Sequence, residues 1–209
     1  MPESNTQVTC SGLVLPVDRD SVHVDLYQLS KGPPNFTGPA IVIVPGAASK
    51  EWDRYRAFCV PVAQSFAQAG FCAINFASRG QRPSGGVWSH QNMLADLDAI
   101  VTRLQGDRFS RIGLFGYSAG TSVALALAAR RAESITSLAL WATCFNSFYS
   151  SFYADIAEAT RRLVKWERHS PRTFNWRITC CLSSPCGTFG IRYCLHTVPR
   201  TNTLALKNR

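Results

Sequence analysis

The 209-residue chain is short of several things, and each shortage removes a class of protein. No stretch approaches the ~18 consecutive apolar residues that a membrane-spanning helix needs, so no membrane span is expected. The first residues, Met1 to Gln7, are polar and carry no apolar core of a secretory signal, which makes a cytoplasmic location the expectation. None of the eight cysteines stands in a C-x-x-C pair. Cys180, Cys181, Cys186 and Cys194 cluster at a spacing that suits neither zinc nor a redox pair, and a disulfide cluster would want an oxidising compartment. Cys10, Cys59, Cys72 and Cys144 are scattered singly among apolar residues, as buried free thiols are. There are only four histidines, His23, His90, His169 and His196, which limits the choice of catalytic base. No internal repeat is present.

Acidic residues are missing from one whole region. Residues 168–209 hold 7 Lys/Arg and no Asp or Glu, whereas residues 1–167 hold 15 Lys/Arg and 13 acids. The formal charge of +9 therefore belongs mainly to the C-terminal segment. Arginines spread along such a segment can contact phosphates non-specifically. A solvated tail explains the same charge, and no nucleic-acid partner is expected. A hydrophobic content of 46% with 17% charged residues is ordinary for a folded domain, and the length suits one domain better than two.

The pattern along the chain predicts alternating strands and helices. Val8 to Leu15 reads as a strand closed by Pro16. Val22, Val24 and Leu26 alternate with polar residues at the period of two of a half-exposed strand. Lys31 to Pro39 reads as a loop. Ala40 to Val44 is a β-branched run ended by Pro45-Gly46, as in a strand buried on both faces. Glu51 to Ala69 reads as a helix, with a kink allowed at Pro61 and a stop at Gly70. Phe71 to Phe76 and Arg111 to Phe115 read as buried strands. Met93, Leu97, Ile100, Val101 and Leu104 share one helical face between them. The Ala-rich stretch Ala119 to Arg131 reads as a helix, and Ile135 to Ala142 as a further strand. Such strand–helix–strand units predict an α/β fold with a mostly parallel sheet, helices on both faces and right-handed crossovers.

Gly116-Tyr117-Ser118-Ala119-Gly120 matches G-x-S-x-G. An apolar strand runs directly into it and an Ala-rich helix leaves it, which is the setting a nucleophile elbow requires. Small residues at Gly116 and Gly120 let strand and helix approach closely, and the helix N-terminus favours negative charge developing near Ser118. Two further segments fit around this one. Ile41-Val42-Ile43-Val44-Pro45-Gly46-Ala47-Ala48 is a strand followed by a tight turn. Asn75 to Gly86 contains Arg79-Gly80 and Ser84 at the exit of another strand.

With these three segments in this order, the chain resembles the α/β-hydrolase superfamily, in its serine esterase and serine aminopeptidase-like lineage. The resemblance covers about residues 8–150 and corresponds to the first six strands of an eight-stranded sheet, so the sheet is expected to be incomplete at its C-terminal end. It implies that Ser118 is the nucleophile and that the backbone N–H groups of Ala47 and Ala119 hold the oxyanion. Pro45 stands where the family usually has His, while Gly46 is kept. Arg79, Gly80 and Ser84 match the family's Asp-x-Arg-Gly-x-Gly-x-Ser-x-Gly exit, with Ala77 in place of the Asp; its role there is structural. Neither a cofactor nor a metal is implied.

A triad also needs a histidine to take the serine proton and a carboxylate to orient it. In this family the acid and then the histidine follow the serine. After Ser118 the only acids are Glu133, Asp155, Glu158 and Glu167, and none follows an apolar strand. The only histidines there are His169 and His196. His196 follows a weak strand candidate, Ile191 to Cys194, and is the candidate base. His23, on a strand, and His90, before a helix, read as surface or capping residues. Residues 151–167 read as an amphipathic, lid-like helix through Phe152, Ile156, Leu163 and Trp166. Residues 168–209 read as an atypical, poorly packed basic tail, either a variant end or a frame-shifted or truncated one.

The expected function is a serine hydrolase acting on an ester, thioester or small amide, with a small-molecule acyl substrate. The alternatives are a non-catalytic α/β-hydrolase-like binding protein or an inactive product. A basic nucleic-acid-binding module rests on the tail alone. Oligomeric state is open.

Overall fold

The structure, a computed structural model, describes residues 7–30, 38–46, 52–107, 109, 111–141 and 178–181, with side chains outside 52–57 and 178–181. These residues form a seven-stranded sheet. Its strands are β1 (Val8–Val17), β2 (Asp20–Leu29), β3 (Ala40–Val44), β4 (Cys72–Ala77), β5 (Ile112–Tyr117), β6 (Ile135–Trp141) and β7 (Ile178–Cys181), in the order β1-β2-β4-β3-β5-β6-β7. The first two strands pair antiparallel with their neighbours, and the rest of the sheet is parallel. The mostly parallel α/β sheet read from the sequence is the fold observed.

Two details differ from the sequence reading. Strand β1 continues through Pro16, which pairs with Ser21. As the first strand in the order, β1 has a free edge among the described residues, where a missing N–H breaks no ladder. The second difference is β7, parallel to β6 with Trp141 opposite Cys181, inside a segment expected to lack strand pattern.

Three helices connect the parallel strands: α1 (Trp52–Gln68), α2 (His90–Gly106) and α3 (Gly120–Arg130). Helix α1 continues through Pro61, and the Ser65 hydroxyl donates to the Pro61 carbonyl at 2.8 Å. It lies on one face of the sheet, where Cys59, Ala63 and Ala67 pack on Tyr27, Ile43 and Ala73. Helices α2 and α3 cover the other face in a larger core that includes Phe76, Met93, Leu97, Ile112, Leu114, Leu127 and Leu138. Gly120 to Ala128 are all buried, which explains why α3 is apolar all round rather than along one stripe.

An ion pair is buried at the exit of β4. The Arg79 side chain is 4% exposed and that of Asp96, in the apolar stripe of α2, is 0% exposed. Arg79 donates to Asp96 from its Nε (2.6 Å) and from its backbone N–H (2.9 Å). It also reaches Asp18 in the β1–β2 turn at 2.8 Å and the Asn92 carbonyl at 3.2 Å. Burial raises the Asp96 carboxyl above the usual carboxylate range, against the opposing pull of the Arg79 bonds. One guanidinium thus ties the exit of β4 to α2 and to the first hairpin.

Candidate active site

Ser118 sits between the end of β5 and the start of α3 with φ +52°, in the left-handed region that L-residues other than Asn and Asp rarely enter. The bonds around it hold that conformation. Its backbone N–H donates to the Trp141 carbonyl at 3.0 Å. Its own carbonyl accepts from the Thr121 N–H (3.0 Å) and the Thr121 hydroxyl (2.6 Å). Thr121 was not singled out in the sequence; a hydroxyl three residues after a turn is the only signal it leaves.

Strain of this kind costs on the order of 1–2 kcal/mol, and a comparison of two variants isolates it. Ser118→Ala and Ser118→Gly both remove the hydroxyl, but only glycine accepts the positive φ without cost. Ser118→Gly is expected to be about 1 kcal/mol more stable than Ser118→Ala in urea unfolding. Equal stabilities would show that the turn relaxes instead.

Glycines bring strand and helix together here. A Cβ on Gly116 would stand 2.8 Å from the Thr121 Cα. A Cβ on Gly120 would collide with the carbonyl oxygens of Val44 and Pro45. The elbow is therefore packed directly against the end of β3, the strand that leads through Pro45-Gly46 to Ala47. Ala47 itself lies outside the described residues. Ala119 is 4% exposed at the head of α3, with φ −59° and ψ −27°. A helix start leaves N–H groups without intrahelical partners and carries the positive end of the helix dipole.

The strand order reverses at this place. β3 leads to α1 on one face, while β5 leads to α3 on the other. Ser118 and the end of β3 thus flank the carboxyl-end crevice where open α/β sheets bind ligands.

His23 has a carboxylate partner but stands away from Ser118. His23 lies on β2 and its Nε2 is 3.1 Å from Asp25 Oδ1, a His–carboxylate pair of the kind a triad uses. Three strand spacings separate β2 from β5, roughly 14 Å, so this pair cannot reach Ser118. His90 is the first residue of α2 and does not cap it; Ser89 does, accepting from the Asn92 N–H at 3.0 Å. Burial lowers the His90 pKa, and its ring meets Trp88 at 5.0 Å. Glu133 is exposed in the turn before β6, at the opposite end of the sheet from Ser118. Asp155, Glu158, Glu167, His169 and His196 lie outside the described residues. Among the described residues, no three His, Cys, Asp or Glu side chains converge as a metal site. No described helix is long and apolar enough to cross a membrane.

A doubly covered, mostly parallel sheet with a serine on a left-handed turn between strand and helix, at the reversal of strand order, defines a class: open α/β proteins with a strand–turn–helix elbow at the carboxyl end of the sheet. The family follows from comparison. The alpha/beta hydrolase family matches residues 41–193, and the chain belongs to it. The match runs past residue 150, where the motif-based resemblance stops.

Solved structures agree on the fold. A hypothetical protein from Pseudomonas aeruginosa superposes with a TM-score of 0.57 at 21% identity, covering 80% of this chain and 54% of that one. Est1E from Butyrivibrio proteoclasticus, with ferulic acid bound, gives 0.55 at 18% identity, covering 63% and 52%. The esterase Pf2001 from Pyrococcus furiosus gives 0.55 at 15% identity, covering 82% and 68%. The chain spans about half the length of the first two. No curated protein matches it.

Proposed function

We propose that this chain is a serine hydrolase of the carboxylic-ester type, acting on an ester, thioester or small amide of a small-molecule acyl substrate. Ser118 is the nucleophile, and the backbone N–H groups of Ala47 and Ala119 stabilise the tetrahedral oxyanion. The observation that carries this reading is the positive φ of Ser118, held between Trp141 and Thr121 at the head of α3. A strained non-glycine residue persists where its surroundings over-determine it, and such residues cluster at active sites. The esterase from Pyrococcus furiosus lends its class to the proposal. His196 is the candidate base.

A second reading is a non-catalytic hydrolase-like binding protein.

A fluorophosphonate probe separates the two. Covalent labelling located at Ser118 by mass spectrometry, and absent from Ser118→Ala, is expected; no adduct at Ser118 leaves the binding-protein reading. Turnover of a nitrophenyl acetate is expected to be lost in Ser118→Ala and to fall steeply in His196→Ala. Turnover that neither substitution changes would leave the binding-protein reading.

A further inference from the structure

Four aromatic rings gather one residue below the nucleophile, on the α1 face of the sheet. Tyr117, next to Ser118 in the chain, stacks on Phe58 of α1 with ring centroids 4.3 Å apart. Phe58 meets Trp141 at 5.0 Å, and Trp141 meets Tyr117 at 5.8 Å and Phe115 at 6.3 Å. Tyr117 and Trp141 are the last parallel pair of β5 and β6. The same Trp141 accepts the Ser118 N–H through its carbonyl. The cluster is thus covalently and hydrogen-bonded continuous with the elbow.

Phe58 and Phe115 pack against the α1-face core, but the four rings are not fully enclosed by it. On the α1 face the fully buried apolar residues are Tyr27, Ile43, Cys59, Ala63, Ala67 and Ala73, all on α1 or on β2, β3 and β4. Phe58, Phe115, Tyr117 and Trp141 are only half-buried. Aromatic faces left open beside a reactive group offer offset or edge-to-face stacking to a ligand ring, beyond what apolar area alone gives.

We propose that Phe58, Tyr117 and Trp141 form the acyl subsite of the Ser118 centre, and that it takes an acyl group ending in an aromatic ring two or three carbons from its carbonyl. The inference rests on the reading of Ser118 as nucleophile. The length follows from the geometry. The reacting carbonyl stands against Ser118, and the rings begin one residue back along β5, about 3.8 Å between Cα atoms. A spacer of two or three carbons covers that step and lays the ring among Phe58, Tyr117 and Trp141. A bare acetyl group would not reach them.

Binding in the Ser118→Ala full-length chain tests this without needing turnover. The probes are 3-phenylpropionate, 3-cyclohexylpropionate and propionate, measured by ligand-observed NMR and calorimetry. Phenylpropionate is expected to bind at least about fivefold more tightly than either comparator. Trp141→Ala in the same background is expected to weaken it about tenfold, and Trp141→Phe to restore most of that loss. Equal binding of phenylpropionate and propionate would overturn the subsite. So would unchanged binding in a folded Trp141→Ala chain, or a Trp141→Phe chain as weak as Trp141→Ala. The outcomes remain distinguishable from those of the catalytic reading. Ring-dependent binding with no phosphonate adduct at Ser118 supports the subsite and removes the nucleophile. An adduct without ring preference does the reverse.

Discussion

Replacing Arg79 with Met is expected to lower the unfolding free energy by about 3–5 kcal/mol, the usual result of removing one member of a buried ion pair. Met keeps the length of the stem, so packing loss is small and the electrostatic cost dominates. Asp96 would be left with no counter-charge at a site where its side chain has no solvent exposure. The exposed Asp18 partner contributes little to the effect, because an ion pair open to water is screened. The control is the double variant Arg79→Met, Asp96→Leu. It removes both charges and fills the space with apolar groups, a change that is often neutral for buried pairs. The double variant is therefore expected to recover most of the single variant's loss in urea unfolding. A single-variant loss below about 1 kcal/mol, or no recovery in the double, would show that the guanidinium is not what holds β4, α2 and the first hairpin together.

This network also marks how far the sequence could be read. Arg79 stood out because of the Arg-Gly loop, whereas its partner Asp96 was not singled out, though a signal for it was there. Asp96 interrupts the stripe of Met93, Leu97 and Ile100 on one face of α2, and a carboxylate on a buried face calls for a cation. Elements with a strong period came through well: β2, β3, β5, α2 and α3 lie where alternation, β-branched runs and apolar stripes put them. Pro16 did not, because a proline ends a strand only where its N–H is needed, and that depends on which strand becomes the edge. Strand β7 has four residues, Ile178–Cys181, too few to show a period. The elbow was legible because its geometry is local, set by five consecutive residues and the elements on either side. The base and acid of a triad are placed by tertiary folding alone, so spacing does not reveal them. The His23–Asp25 pair shows the hazard: i and i+2 on a strand face the same way and pair well, yet strand order puts them far from Ser118.

The same glycine-to-alanine change should have opposite signs at the two ends of the described helices. At Gly106, the last residue of α2, an added Cβ meets nothing within 4 Å, and no positive φ is required. There Ala brings only helix propensity and a less mobile unfolded chain, so Gly106→Ala is expected to stabilise by about 0.4–1 kcal/mol. At Gly120, the first residue of α3, the Cβ would overlap the carbonyl oxygens of Val44 and Pro45 and stand 2.8 Å from the Pro45 carbonyl carbon. Backbone in the middle of a sheet cannot yield as the tip of a side chain can. Helix α3 or the end of β3 must move, and overpacking of this kind costs about 1–3 kcal/mol or more, exceeding the propensity gain. Gly120→Ala is expected to destabilise by about 2 kcal/mol. Its effect on Ser118 should be larger than its effect on stability, because the displaced carbonyls belong to the segment that leads to Ala47. Under conditions where the variant remains folded by circular dichroism, fluorophosphonate labelling of Ser118 is expected to fall at least about tenfold, as misplacement by an ångström costs far more in reaction than in packing. A folded Gly120→Ala chain that labels as fast as wild type would show that the close approach of α3 to β3 serves packing alone and does not set the geometry around Ser118.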